Sequence, residues 1–149
     1  MSLKEKLQQD LTESMRARDE IRSSTIRMIL TSIRNEEVAG KEAKELNEKE
    51  LIAVLSREAK KRREAAEAFD QAGAKDRGDA ERAEGKIIAE YLPQQLSEAE
   101  VRDLVAAAIK ETGAATPAQM GLVMKSLQPK IAGRADGALV SNLVKAALA

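Results

Sequence analysis

The chain has 149 residues, of which 34% are charged, and its 25 basic and 25 acidic side chains give a formal net charge of zero. A neutral chain has no global attraction for nucleic acid or for an anionic membrane, so any such binding requires a local patch. The absence of cysteine and histidine excludes disulfides, thiol nucleophiles, imidazole bases and the commonest zinc ligands. Because Phe69 and Tyr91 are the only aromatic residues, aliphatic side chains must build the core.

The first two predicted helices form a pair. A capping box of Ser2 and Glu5 precedes leucines at four-residue spacing, which predicts a helix to about Ala17. Asp19 is placed to cap a second helix and Gly40 to end it, and the short turn between the helices favours an antiparallel arrangement. The side chains expected in the core are Leu3, Leu7, Leu11 and Met15, followed by Ile21, Thr25, Ile26, Ile29, Leu30 and Ile33.

Two more heavily charged segments predict the third and fourth helices. Asn47 and Glu50 signal a helix start, and this helix should end at Gly73. The polar residues 74–79 predict a break, after which a fourth helix runs towards Pro93. The apolar positions are Leu51, Ile52, Leu55, Ala59, Ala66 and Phe69 in the third helix and Ala83, Ile87, Ile88 and Tyr91 in the fourth.

The segment from Pro93 to Ser97 is the best candidate for a domain boundary. One helix ends at the proline, and Ser97 with Glu100 begins a fifth helix that should stop at Gly113. This boundary predicts an N-terminal helical domain over residues 1–92 and a tail domain over residues 93–149. Basic and acidic residues number 19 and 20 in the first part and 6 and 5 in the second, so neither part is electrostatically distinctive.

The last third of the chain predicts two short helices and a tight turn. Thr116 and Pro117 give a start signal, and Pro129 should kink or end the helix before a left-handed Gly133. Asp136 caps the next helix. The predicted buried stripes are Met120, Val123, Met124, Leu127 and Ile131, followed by Leu139, Val140, Leu143, Val144 and Ala147. Since no alternation typical of strands occurs, we predict an all-α protein of about four helices followed by a three-helix tail.

Short motifs along the whole chain resemble those of a known family. In the last third they are Met120-Gly-Leu-Val-Met-Lys125, Pro129, Gly133-Arg-Ala-Asp-Gly137 and Leu139-Val-Ser-Asn-Leu-Val144. Earlier they are Arg27-Met-Ile-Leu30, Glu81, Glu84, Tyr91-Leu-Pro93 and Leu96-Ser97. The chain resembles the stand-alone YqeY-like members of the GatB/YqeY family. Its C-terminal part is similar to the tail domain of GatB, a component of the aspartyl/glutamyl-tRNA amidotransferase.

This resemblance implies a non-catalytic, RNA-associated helical module that binds tRNA and is related to the glutamine-dependent amidation of mischarged tRNA. In GatB, the tail is appended to a catalytic body and helps to hold the tRNA. The implied partners are tRNA and an amidotransferase or another tRNA enzyme. Any enzyme activity implied by the family would be that of a carbon-nitrogen ligase with glutamine as amido donor. No catalytic residue, cofactor or metal ion is predicted.

Four basic side chains of the tail are the candidate nucleic-acid-binding residues: Lys125, Lys130, Arg134 and Lys145. If the fold brings several of them to one side, they can contact phosphates as point charges, with little sequence discrimination. The alternative is an ordinary solvated polar face. Arg102 and Lys110 on the preceding helix could belong to such a phosphate-binding patch or to the solvated face.

Two features of the tail have a structural and a functional interpretation. Backbone amides of the turn from Gly133 to Gly137 could bind a phosphate, but Asp136 is placed to occupy them as a helix cap. Gly121, in mid-helix, should permit close approach of another backbone, with a neighbouring helix favoured over an RNA strand.

Two charged clusters lie in the N-terminal part. Residues 57–63 hold five basic side chains, for which ion pairs within the helix are favoured over an RNA-binding ridge because no aromatic residues are interleaved. The carboxylates of Asp76, Asp79, Glu81 and Glu84 could form a metal or acid/base site, but neighbouring cations favour surface ion pairs.

A second function class stays open beside RNA binding. The charged N-terminal helices could make the chain a protein-interaction adapter with no nucleic-acid role. No apolar run reaches the length of a membrane span and no signal sequence opens the chain, so we expect a cytoplasmic protein without a membrane partner.

Overall fold

The computed structural model describes all 149 residues as helices and connecting turns, without strands, which confirms the all-α prediction. The chain divides into two compact units, Met1–Leu92 (unit 1) and Pro93–Ala149 (unit 2). Unit 1 contains α1 (Leu3–Arg16), α2 (Glu20–Glu37), α3 (Glu48–Gln71) and α4 (Lys75–Ala89). Unit 2 contains α5 (Glu98–Thr112), a 3₁₀ turn (Pro117–Gln119), α6 (Met120–Ile131) and α7 (Gly137–Leu148). No helix combines the length and the apolar character that crossing a membrane requires.

Local capping determines where several helices begin. Ser2, Asn47 and Ser97 each accept a hydrogen bond from the backbone N–H three residues later, and the glutamate at that later position accepts one from the cap N–H. These three capping boxes satisfy amide groups that a helix start otherwise leaves without partners. The predicted starts of α1, α3 and α5 are therefore confirmed.

The helices of unit 1 enclose one aliphatic core. Its fully buried members include Leu7, Ile26, Ile29, Ile33, Leu55 and Ile88. Tyr91 is the last buried residue along the chain that belongs to this core. Lys4 Nζ lies 3.1 Å from Glu37 Oε1, and the Ser14 and Ser23 hydroxyls are 2.8 Å apart. Because the start of α1 meets the end of α2, the predicted antiparallel pair is confirmed.

The packing of α3 against α4 depends on a glycine inside α4. A Cβ built on Gly78 would lie 3.1 Å from the Ala66 carbonyl oxygen and would collide with Asp70 Oδ1. The prediction of a break over residues 74–79 is wrong, because α4 already begins at Lys75. Gly73, with φ 76°, makes the turn, whereas Gly78 permits the close approach of the two helices.

Three other expectations for unit 1 are wrong. Gly40 does not end α2, which stops at Glu37 with Val38 as its C-cap. Met15 and Ile21 were expected in the core but are 50% and 57% exposed. Both lie in the terminal turns of their helices, Met15 at the end of α1 and Ile21 at the start of α2, where the core no longer covers an apolar stripe.

Unit 2 packs α5, α6 and α7 around a second core. The buried residues are Val101, Val105, Ala108, Ala114, Val123, Leu127, Ile131, Val140, Val144 and Leu148. Pro129 lies inside α6, which ends two residues later, and Gly133 follows with φ 72°, as predicted. The predicted start signal at Thr116 and Pro117 is confirmed, since Gln119 Oε1 accepts from the Thr116 N–H at 3.2 Å, and the first turn is a 3₁₀ turn that leads into α6. Ala147 is exposed, and Leu148 occupies the buried position instead.

Candidate nucleic-acid interface

Lys125 projects from the side of α6 that lies opposite the core. Val123, Leu127 and Ile131 form the buried stripe of this helix, and at about 100° per residue Lys125 falls on the far side. Its side chain is exposed and makes no ion pair or hydrogen bond within the chain. The ammonium group is therefore available to an external anion.

Lys145 of α7 is likewise available to an external anion. It follows the buried Val144, is itself exposed and has no internal partner. Lys110, near the end of α5, is also exposed and without an ion pair, whereas Arg102 is paired with Glu98 at 2.9 Å. Each helix of unit 2 thus carries one unpaired lysine on its solvent side.

Lys130 makes only a loose ion pair. Its Nζ lies 3.8 Å from Glu111 Oε2, and the two side chains are 45% and 66% exposed. Pairs of this kind contribute little to stability because water and salt screen them. Lys130 can therefore exchange Glu111 for another anion.

Arg134 has a structural role that the sequence did not indicate. Its Nε donates to the Gln94 carbonyl at 3.1 Å, and one terminal nitrogen donates to the Lys130 carbonyl at 3.3 Å. Its own carbonyl accepts from the Leu96 N–H at 2.8 Å, and Gln95 Nε2 donates to the Gly133 carbonyl at 2.7 Å. Arg134 thereby ties the segment before α5 to the turn after α6. Among the four candidate residues, Arg134 is the one whose side chain donates hydrogen bonds to backbone carbonyls of the fold.

The structure confirms one of the two expectations for glycine-containing features of unit 2 and contradicts the other. The Asp136 Oδ1 accepts from the Ala138 N–H at 3.1 Å, which confirms the helix-cap interpretation. The expectation that Gly121 contacts a neighbouring helix is wrong, because a Cβ there would meet nothing within 4 Å. Gly121 is exposed, and the adjacent Leu122 is 54% exposed. On the helical wheel both share the outward side of α6 with Lys125.

The basic run at residues 57–63 is largely neutralised. Arg62 is mostly buried and lies 3.3 Å from Glu58 of its own helix, as expected. It also lies 3.1 Å from Glu84 and 3.6 Å from Glu81 of α4, and the sequence did not indicate these contacts between helices. Arg57 pairs with Glu36 of α2 at 3.3 Å. The run stabilises unit 1 and does not form a free basic ridge.

Three of the four acidic residues of the predicted cluster, Asp79, Glu81 and Glu84, are held in ion pairs, whereas Asp76 is not. Asp79 lies 2.7 Å from Arg82, which also binds Asp70 at 2.8 Å, so the predicted ion pairing is confirmed. Burial, followed by the charge of Glu81, raises the pKa of Glu84, and Arg62 partly opposes this shift. No group of three or more carboxylates is arranged to hold a metal ion.

Comparison with known proteins identifies the family. Residues 4–148 match the family described as YqeY-like protein. This chain belongs to the YqeY-like family. A curated relative, the altered inheritance of mitochondria protein 41 of Lachancea thermotolerans, is 30% identical over 145 residues, which cover 95% of this chain and 76% of the relative. The name of that relative describes it as mitochondrial.

In this YqeY-like protein, the charge totals of whole units hide an uneven distribution of basic and acidic residues within unit 2. From Gly113 to the end of the chain there are four basic residues, namely the four candidates, and Asp136 is the only acid. The acids that balance unit 2 all precede this point, on α5. Counting charge by helix, and not by domain, would have shown that α6 and α7 form a basic half of the unit.

Proposed function

We propose that this YqeY-like protein is a non-catalytic, RNA-associated module that binds tRNA through the outward faces of α6 and α7. The observation that carries the proposal is that Lys125 and Lys145 are exposed and unpaired in a segment whose single acid, Asp136, caps a helix. Lys130, held only by a loose ion pair, can add a third contact.

The geometry favours contacts with the sugar-phosphate backbone. Lysine side chains bind phosphates as point charges, and such contacts position a protein on a nucleic acid without reading its bases. Unit 2 contains no aromatic residue that could stack on an exposed base. The empty space beside Gly121 lets a partner approach the backbone of α6 closely. Binding should therefore be weak, salt-dependent and poorly discriminating between sequences.

The proposed relation to amidation is that of an accessory module. The resemblance of the tail to that of GatB suggests that tRNA is handed to, or held beside, an amidotransferase or another tRNA enzyme. The carbon-nitrogen ligase chemistry then belongs to that enzyme. The cytoplasm is the proposed compartment, and the mitochondrial label of the curated relative makes an organelle the alternative. Both compartments contain tRNA.

Titration of labelled tRNA with the full chain at 50 and 200 mM salt tests the proposal. We expect affinity to fall steeply with salt, because each neutralised phosphate releases counterions. Replacing Lys125 and Lys145 together by alanine should reduce the slope of log affinity against log salt by about 2. The matched control replaces Lys49 and Lys86, two exposed and unpaired lysines of unit 1, and should retain the slope. Absence of binding at 50 mM salt, or an equal loss in the control, would contradict the proposal.

A protein-interaction adapter is the second candidate function, and exposed apolar side chains favour it. Apart from the terminal Met1, the large apolar side chains that are at least half exposed are Met15, Ile21, Val38 and Leu122. Two of these residues, Met15 and Ile21, flank the same turn of unit 1.

A further inference from the structure

The turn between α1 and α2 borders an open cleft, which we call the α1–α2 corner. The cleft has a volume of about 420 Å³ and is lined by Met15, Arg18, Asp19, Glu20, Ser23, Ser24 and Arg27. The hydrogen bond between Ser14 and Ser23 fixes the two helices beneath it. Its size lies within the range of sites that hold small ligands or single peptide side chains.

Arg18 occupies a backbone position that normally favours glycine. It has φ 58° and is the only non-glycine residue with a positive φ. The Asp19 N–H donates to the Ser14 carbonyl and the Arg18 N–H to the Met15 carbonyl, which is the Schellman arrangement that ends a helix. A left-handed conformation is unfavourable for residues with a Cβ. Arginine at this position lowers the stability of the fold. Its side chain makes no ion pair or hydrogen bond within the chain that would compensate for this cost.

The corner also has an excess of accessible positive charge. Arg16, Arg18 and Arg27 are exposed and have no internal partner. Of the three arginines in residues 21–35 of α2, Arg22 is paired with Glu90 at 2.6 Å, and Arg27 is the one that lines the cleft. Of the two acids beside the cleft, Asp19 is engaged by the Arg22 N–H and guanidinium, and Glu20 alone opposes the arginines.

Apolar surface accompanies this charge. Met15, which is half exposed, lines the cleft, whereas Ile21, which is 57% exposed in the first turn of α2, does not line it. Methionine adapts its shape to varied apolar partners. A cleft that joins unpaired arginines to an exposed methionine matches a ligand that has both carboxylates and an apolar group.

We propose that the α1–α2 corner is a docking surface for an acidic, amphipathic helical segment of a partner protein. Arg18 and Arg27 bind carboxylates of that segment through paired guanidinium hydrogen bonds, and Met15 packs against its apolar face. An RNA strand fits this corner less well, because its phosphates would leave the Met15 side chain uncovered. The surface lies in unit 1 and does not depend on the proposed binding of tRNA by unit 2.

The test uses the full ¹⁵N-labelled chain and a synthetic 16-residue helical peptide with glutamate on one face and leucine on the other. We expect chemical-shift changes centred on residues 15–27, with affinity that falls as salt increases. A peptide of the same composition in scrambled order, which has no apolar face, should bind at least about tenfold more weakly. Whole tRNA should leave these resonances unchanged.

Two variants separate docking from folding. Arg18→Gly combined with Arg27→Ala should weaken peptide binding about tenfold, because two charge-assisted contacts are lost. Since glycine relieves the left-handed conformation, the urea midpoint of the single Arg18→Gly variant should not fall. The control Lys49→Ala with Lys86→Ala removes the same charge from other surfaces of unit 1 and should bind normally.

Four results would overturn the proposal. The first is the absence of peptide-dependent shifts at the corner, and the second is equal binding by the ordered and scrambled peptides. The third is a response of residues 15–27 to tRNA but not to peptide, which would assign the corner to nucleic acid. An equal loss of affinity in the lysine control would likewise reject the specific role of the arginines.

Discussion

At the scale of single residues, Tyr91 is the one aromatic side chain that is fully incorporated into a core. It is 8% exposed, and its hydroxyl donates to Asp10 Oδ2 at 2.6 Å across 81 residues of sequence. Burial, followed by the hydrogen bond to Asp10, raises the pKa of the Tyr91 phenol. The short contact joins the end of unit 1 to its first helix.

Replacing Tyr91 by phenylalanine should lower the free energy of unfolding by about 1–2 kcal/mol at pH 7, because the ring is kept and a hydrogen bond to a carboxylate is lost. The raised pKa means that the unfolded chain loses the phenol proton first, so the stability due to Tyr91 is present below about pH 10 and declines above it. Urea unfolding of both proteins at pH 7 and pH 10.5 measures this. A difference that stays constant over that range would contradict the assignment.

At the scale of helices, two glycines inside helices have opposite surroundings. Gly78 faces α3, where a Cβ would lie 3.1 Å from the Ala66 carbonyl, whereas Gly121 faces open space. Both glycines lie in the first turn of their helices, Gly78 as the fourth residue of α4 and Gly121 as the second residue of α6, so the difference in packing decides the outcome of adding a methyl group.

Gly78→Ala should destabilise the protein by about 1–2 kcal/mol, since α4 must move away from α3 to accept the methyl group. Gly121→Ala should instead stabilise it by up to about 1 kcal/mol, because the gain in helix propensity meets no steric cost. Urea denaturation of the two variants beside the wild-type chain gives both values. Similar changes of the same sign would show that helix packing is not the deciding factor.

The helix scale also shows what could be predicted from the sequence. Capping boxes, Pro129 and the left-handed Gly133 act over a few residues, and the helix boundaries that depend on them were predicted. The ion pairs of Arg62 with Glu81 and Glu84 and the close approach at Gly78 join residues on different helices, and local patterns do not encode such contacts. Met15 and Ile21 fit their helical stripes, but the stripe extends beyond the core that covers it.

For the candidate interface, the sequence identified the lysines but not their surroundings. Lys125 and Lys145 could be placed outside the apolar stripes from the helical wheel alone. The hydrogen bonds of Arg134 to the segment before α5 could not be predicted, because they depend on the path of a turn that has no periodic pattern. The role of the four basic residues in binding RNA stays a prediction.

At the scale of the whole molecule, each unit has its own aliphatic core. Residues of unit 2 meet around Val123, Leu127, Val140 and Val144, which are all completely buried. The connection before α5 is tied to unit 2 itself through the backbone of Arg134. That the tail is an independent domain stays a prediction.

A fragment of residues 93–149 should therefore fold alone, as an α-helical domain with cooperative thermal unfolding. Domains of about 60 residues are only marginally stable, so we expect a lower melting temperature than those of typical larger domains. Circular dichroism during heating measures the transition, and the tRNA titration repeated on the fragment should give the same salt slope as the full chain. A gradual loss of helical signal without a transition would contradict the predicted domain boundary.

The open surroundings of Gly121 have a practical consequence for observing the proposed interface. The chain has no native thiol, so a cysteine introduced at this position would be the unique target for a maleimide fluorophore or a nitroxide. Since its Cβ would touch no other atom within 4 Å, the label should leave the helix undisturbed. It would report changes in polarity or mobility directly beside Lys125 when a macromolecule arrives.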